Sequence, residues 1–161
     1  MPNLRGILAV PSLVLCVAAP LGAAATPVAP ATARPVDATT PLHDSTALQL
    51  EMARLATEHP GLIDVVPVGT SREKRRIEAL RVGAGERKPG RPAILLVANV
   101  DGPSAWTSSL ALDHVRELAA RYGSDARVTT FLDTTTLYVV PRANPDGAAA
   151  RFESPLAERR G

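Results

Sequence analysis

Residues 93–100 read Ala-Ile-Leu-Leu-Val-Ala-Asn-Val, and this run constrains the fold more than any other part of the chain. A short, almost wholly apolar stretch bounded by breakers is the pattern of a central strand covered on both faces, so it is the expected spine of a sheet. Asp101-Gly102-Pro103-Ser104 interrupts it, after which Trp106, Leu110, Val115, Leu118 and Tyr122 trace a helical stripe that Gly123 ends. A short helix is expected around Asp125 to Leu132, and β-branched Thr135–Val140 reads as another strand. Strand, helix and strand of this length imply a right-handed parallel crossover. Upstream, Ser45 suits an N-cap, and Leu48, Met52 and Leu55 recur at helical spacing until Pro60-Gly61. Ile63–Gly69 and Ile77–Val82, separated by the charged Thr70–Arg76 stretch, suggest an antiparallel pair; Gly83 to Pro92 is a loop. The expected class is α/β, with a mixed, mainly parallel sheet flanked by helices.

The N-terminus reads as an address. Arg5 supplies a positive start, Ile7 to Leu21 an apolar stretch, and Ala23-Ala24-Ala25 a small-residue cleavage pattern, so residues 1–25 are expected to be a signal peptide. Pro11 and Pro20 interrupt the ~20 apolar residues that a membrane anchor needs. Lipidation at Cys16 is disfavoured by bulky Leu15 beside it. The chain is therefore expected to be secreted or periplasmic, with no membrane contact once the leader is removed. Residues 26–44, rich in Ala, Pro and Thr, form a tether, and residues 45–161 form one domain. Cys16 is the only cysteine, so the mature chain has no disulfide. A net charge of +2 with basic residues scattered among acids, and few aromatics, argues against nucleic-acid binding.

In open α/β sheets, ligands gather beyond the carboxyl ends of strands. Two loops qualify, Asn99–Trp106 and Pro141–Gly147, the second containing Asn144-Pro145-Asp146-Gly147. Taken alone, Asn-Pro-Asp-Gly is strong turn chemistry. It follows an ordered series: His59-Pro60, Val68-Gly69-Thr70-Ser71 with Arg75 and Ile77, the buried strand, the long helix and Val139-Val140-Pro141. From about Ser45 onward this order resembles the N-terminal part of the zinc carboxypeptidase family. The resemblance implies an α/β fold, a peptide or peptide-like substrate and one zinc ion, whose bound water attacks a carbonyl. It places the first two zinc ligands, a His and a Glu, at Asp101 and Ser104. An arginine of some members falls at Pro103. Aspartate can ligate zinc, but a neutral serine hydroxyl is a poor ligand, so stable zinc binding and peptidase activity are not expected. The resemblance puts the third ligand and the general-base Glu beyond Gly161. It also implies a substrate-binding role for Asn144 and Asp146, with Arg159 or Arg160 as a carboxylate-binding residue.

Other readings are weaker. His114-Val115-Arg116-Glu117 spells His-x-x-Glu, but it falls well inside the helix, where an ion-pairing solvated face is expected. His43 lies in the tether and His59 at a helix end, where a cation suits the dipole. Ser104 sits between strand and helix, where a hydrolase nucleophile could lie, yet the final Gly of that elbow is missing. An N-cap role suits Ser104 better. The alternative to a lapsed peptidase is a non-enzymatic module that binds peptides or envelope material at the Asp101 and Asn144 loops. Because the family's sheet continues past this length, one strand, Thr135–Val140, is expected to lack a neighbour and to favour self-association through an open edge.

Overall fold

The structure is a computed structural model that describes residues 42–85 and 89–153. The chain divides into two units, Met1–Arg34 and Pro35–Gly161, and every described residue belongs to the second. The expected leader, nearly all of the tether, Arg159 and Arg160 therefore lie outside the described residues. The elements run α1 (Ser45–Glu58), β1 (Ile63–Thr70), β2 (Arg76–Val82), β3 (Ala93–Val97), α2 (Trp106–Arg121), α3 (Ala126–Thr134), β4 (Thr136–Val140) and α4 (Pro145–Phe152).

The first helix starts where its periodicity begins, but its cap is Asp44 rather than Ser45. The Asp44 carboxylate accepts the Ala47 amide at 2.8 Å, satisfying an otherwise free donor and placing negative charge at the positive helix end. Leu48, Met52 and Leu55 are buried on one face. The strands β1 and β2 pair antiparallel as expected, with an irregularity between Pro67 and Gly69. Asp64 and Arg81 face each other in that register and form an ion pair at 2.9 Å. α3 is capped by Asp125, which accepts the Arg127 and Val128 amides.

The sheet is mixed, in the order β1-β2-β4-β3, with β2 antiparallel and β3 parallel to β4. This order corrects two expectations. Among the described residues the apolar run at 93–97 is an edge rather than a spine, with Ile94 49%, Leu95 65% and Val97 45% exposed. The strand expected to lack a neighbour, β4, is paired on both sides and buried at Leu137 and Val139. An unbroken apolar run reports the absence of polar side chains, not the number of neighbouring strands, and its periodicity carries no signal to separate the cases.

The core lies between the sheet and the helices, centred on Met52, Leu55, Leu80, Leu112, Leu132 and Val139. Its rings are marginal: Tyr122 and Phe131 pack partly buried against it. The buried face of α2 is also rotated from the expected stripe. Ser108, Ala111, Leu112, Val115 and Ala119 point inward, whereas Trp106 and Leu110 are exposed. Small residues let the helix approach closely, so the bulkiest side chains flank the contact instead of making it.

Candidate functional site

The two loops anticipated beyond the strand ends do meet. The parallel pairing of β3 and β4 continues past both strands: Ala98 N–H donates to Val140 O, Ala143 N–H to Ala98 O and Asn144 N–H to Asn99 O, all at 2.9–3.0 Å. Asn99 then takes a left-handed φ of 51°, which turns the chain out of the sheet. Its side-chain amide donates to Gly102 O at 2.8 Å and closes the loop. Its backbone amide donates to Thr107 Oγ1, and that hydroxyl donates to Ser104 O, so the loop is also tied to the first turn of α2.

Asn-Pro-Asp-Gly is a helix start rather than a turn. The Asn144 side chain accepts the Gly147 amide at 2.9 Å as the N-cap of α4, and Pro145 occupies the first turn, where a missing N–H costs nothing. The same side chain donates to Val100 O at 3.3 Å. Each of Gly102 and Gly147 is required by the other: a Cβ at Gly102 would stand 2.7 Å from Gly147 Cα and one at Gly147 3.0 Å from Gly102 Cα, and Gly102 has a φ of +84°. Two glycines back to back therefore let the Asp101 loop lie against α4.

Asp146 faces away from this contact. Its carboxylate accepts from Ser71 Oγ at 2.6 Å and from the Glu73 amide at 3.2 Å, with Arg75 Nε at 3.5 Å. Asp146 thus clamps the β1–β2 turn to α4. This long-range clamp was not legible beforehand, since nothing local distinguishes Asp146 from any acidic first-turn residue.

Asp101 is exposed and Ser104 half-buried, side by side at the loop tip. The Ser104 hydroxyl donates a hydrogen bond to Asp101 Oδ2. The residue at the N-cap position of α2 is Ala105, with no side-chain capping bond, so Ser104 is not the cap that its position suggested. From this tip a groove of about 750 Å³ runs between β3 and α2, lined by Leu96, Val97, Val100, Trp106, Leu110 and His114 among others. His114 therefore belongs to the groove wall and not to a remote face, while Glu117 pairs with Arg121 at 3.1 Å. A serine nucleophile needs a base within hydrogen-bond reach. Ser104 is bonded to a carboxylate, and the Ser109–His43 pair, at 3.1 Å, is buried away from any substrate.

The family profile described as zinc carboxypeptidase matches residues 49–160. The chain belongs to the zinc carboxypeptidase family. Among curated relatives, mouse carboxypeptidase A2 is 34% identical over 105 residues, covering 65% of this chain and 24% of that protein. Carboxypeptidase D of Drosophila melanogaster is 29% identical over 113 residues, or 69% of this chain and 8% of that protein. This chain thus spans about a quarter or less of the relatives it matches. Among solved structures, the carboxypeptidase A of Helicoverpa armigera superimposes with a TM-score of 0.62 at 22% identity, covering 71% of this chain and 27% of that one. Thrombin-activatable fibrinolysis inhibitor gives 0.64 at 18% identity, covering 71% and 28%. Both share the fold.

Zinc does not suit the donor set at the Asp101 loop. Catalytic zinc takes three protein ligands from His, Cys, Asp or Glu. Here the one carboxylate already accepts from a neutral hydroxyl, which is itself a poor zinc ligand.

Proposed function

We propose that this chain is an exported zinc-carboxypeptidase-fold module that receives peptide-like ligands without hydrolysing them. One observation carries the reading: at the positions where the family resemblance puts a His and a Glu, the Ser104 hydroxyl donates a hydrogen bond to the Asp101 carboxylate. A hydroxyl–carboxylate pair is satisfied by itself and offers a cation one formal charge, half-used. The ligand side of the proposal rests on the groove that opens from this pair. Its apolar walls suit side chains, and Asp101 and His114 are among its polar lining residues. Export rests on the leader pattern of Arg5, Ile7–Leu21 and Ala23–Ala25; no helix among the described residues is long and apolar enough to cross a membrane.

The chain carries its own reporter, because Trp106 is its single tryptophan and lines the groove. Peptides with free C-termini, added to the purified chain with zinc supplied, should change the Trp106 emission saturably while remaining intact by mass spectrometry. Steady release of C-terminal residues would overturn the reading. A peptide series that leaves the emission unchanged would remove its ligand half. The exported protein should begin at Thr26; a mature N-terminus at Met1 contradicts the leader.

A further inference from the structure

Two aspartates of this chain precede glycine, Asp101 and Asp146, and no asparagine does. An Asp-Gly pair carries its own reaction. The glycine amide nitrogen attacks the aspartate Cγ and the new C–N bond closes a five-membered succinimide, while the protonated carboxyl loses one oxygen as water together with the amide proton. Water then opens the ring at either carbonyl. One opening restores aspartate; the other leaves the chain running through Cβ, as isoaspartate, with no oxidant, reductant or further reactant required. Glycine permits the closure because no side chain shields its nitrogen and its backbone turns freely. In sequence the two pairs are equivalent, and the fold separates them.

At Asp146 both reacting groups are held. The Gly147 N–H donates to Asn144 Oδ1 at 2.9 Å, and the Asp146 carboxylate accepts from Ser71 Oγ at 2.6 Å and from the Glu73 amide at 3.2 Å. Asp146 also stands in the first turn of α4, where helical torsions fix its backbone. Ring closure there requires the capping bond and the clamp to the β1–β2 turn to break together.

At Asp101 neither group is held by another element. The residue is exposed and lies between β3 and α2, outside any helix or strand. The Gly102 N–H has no acceptor among the described residues. The bonds that close the loop land elsewhere: Asn99 Nδ2 on Gly102 O, the Asn99 amide on Thr107 Oγ1, and the Thr107 hydroxyl on Ser104 O. Among the described residues the carboxylate accepts only from Ser104, within the same loop. A hydrogen bond to Oδ2 draws charge from Cγ and makes it a better electrophile.

We propose that Asp101 is a site of spontaneous isomerisation to isoaspartate, and that the fold protects Asp146 from the same reaction. The product lengthens the backbone at the loop tip by one methylene and shortens the reach of the carboxylate. The Asp101–Ser104 pair, and with it the groove that both residues line, therefore changes as the protein ages. The reaction depends neither on zinc nor on what the groove receives.

The test is ageing of the full chain in warm, neutral buffer made with heavy-oxygen water, in parallel with and without denaturant. After digestion, isomeric peptides are separated and isoaspartate is located by fragmentation; each ring opening also adds one heavy oxygen from the solvent. The expected result is that isoaspartate and heavy oxygen accumulate at Asp101 of the folded chain at least tenfold faster than at Asp146, a difference of about 1.4 kcal/mol between the two barriers. In denaturant the two rates should converge. Equal rates at the two sites in the folded chain overturn the protection of Asp146. A folded chain in which Asp101 stays unchanged, while the denatured chain isomerises there, overturns the site.

Discussion

Replacing Gly102 by Ala tests whether the Asp101 loop is held against α4 by the paired glycines. The new Cβ would lie 2.7 Å from Gly147 Cα, 2.9 Å from Gly147 C and 3.1 Å from Asn144 Nδ2. The first two are backbone atoms and cannot swing aside. The φ of +84° adds about 1–2 kcal/mol for any L side chain. Overpacking of this kind adds about 1–3 kcal/mol. Gly123 is the control, with a φ of +82° and nothing within 4 Å of its Cβ position, so Gly123→Ala incurs the backbone cost alone. At about 4–8 °C per kcal/mol for a domain near 100 residues, Gly102→Ala should melt at least ~4 °C below Gly123→Ala. Circular dichroism melts of the two variants and the parent read this directly. Equal melting temperatures for the two variants would refute the back-to-back packing of the loops.

The buried His43 ring gives the fold a pH dependence. Burial, reinforced by the Arg116 and Arg142 charges, lowers its pKa below the ordinary 6.5, so the unfolded chain takes up the proton first as pH falls. This contribution to stability is fully present above pH 6.5 and is lost as pH drops below it towards the folded value. Melting temperature should therefore rise as pH is raised towards about 6.5 and level off above it, and His43→Gln should flatten that slope; an unchanged slope contradicts it. Self-association should proceed through the β3 edge, whose free backbone groups sit beside exposed Ile94, Leu95 and Val97. Sedimentation should show a concentration-dependent oligomer that Leu95→Lys abolishes without lowering the melting temperature; an oligomer that persists in Leu95→Lys places the contact elsewhere.

Much of the fold was legible because its signals are local. The first helix, the β1–β2 pair and the short helix after Asp125 follow from spacing and breakers. Strand order was not legible: Ala-Ile-Leu-Leu-Val looks the same whether one neighbour or two stand beside it. The inward face of α2 was misread because weight went to its largest side chains, while Ser108, Ala111 and Ala119 set the contact. The helix α4 could have been found, since Asn-Pro followed by Asp and Gly-Ala-Ala-Ala-Arg is a cap, a first-turn proline and a helix-forming run. At the candidate site, the two loops expected beyond the strand ends do meet, with Asn144 N–H donating to Asn99 O. The reach of Asp146 back to Ser71 was not legible, because a contact 75 residues apart in sequence leaves no local trace.

The central claim is that the Asp101–Ser104 pair has ceased to hold zinc, and metal stoichiometry tests it most directly. The purified chain should be equilibrated with zinc at neutral pH, dialysed against zinc-free buffer, and analysed for metal per chain beside Asp101→Ala. The account predicts far less than one zinc per chain, with no difference between the two proteins. One zinc retained per chain, and lost on Asp101→Ala, would contradict it.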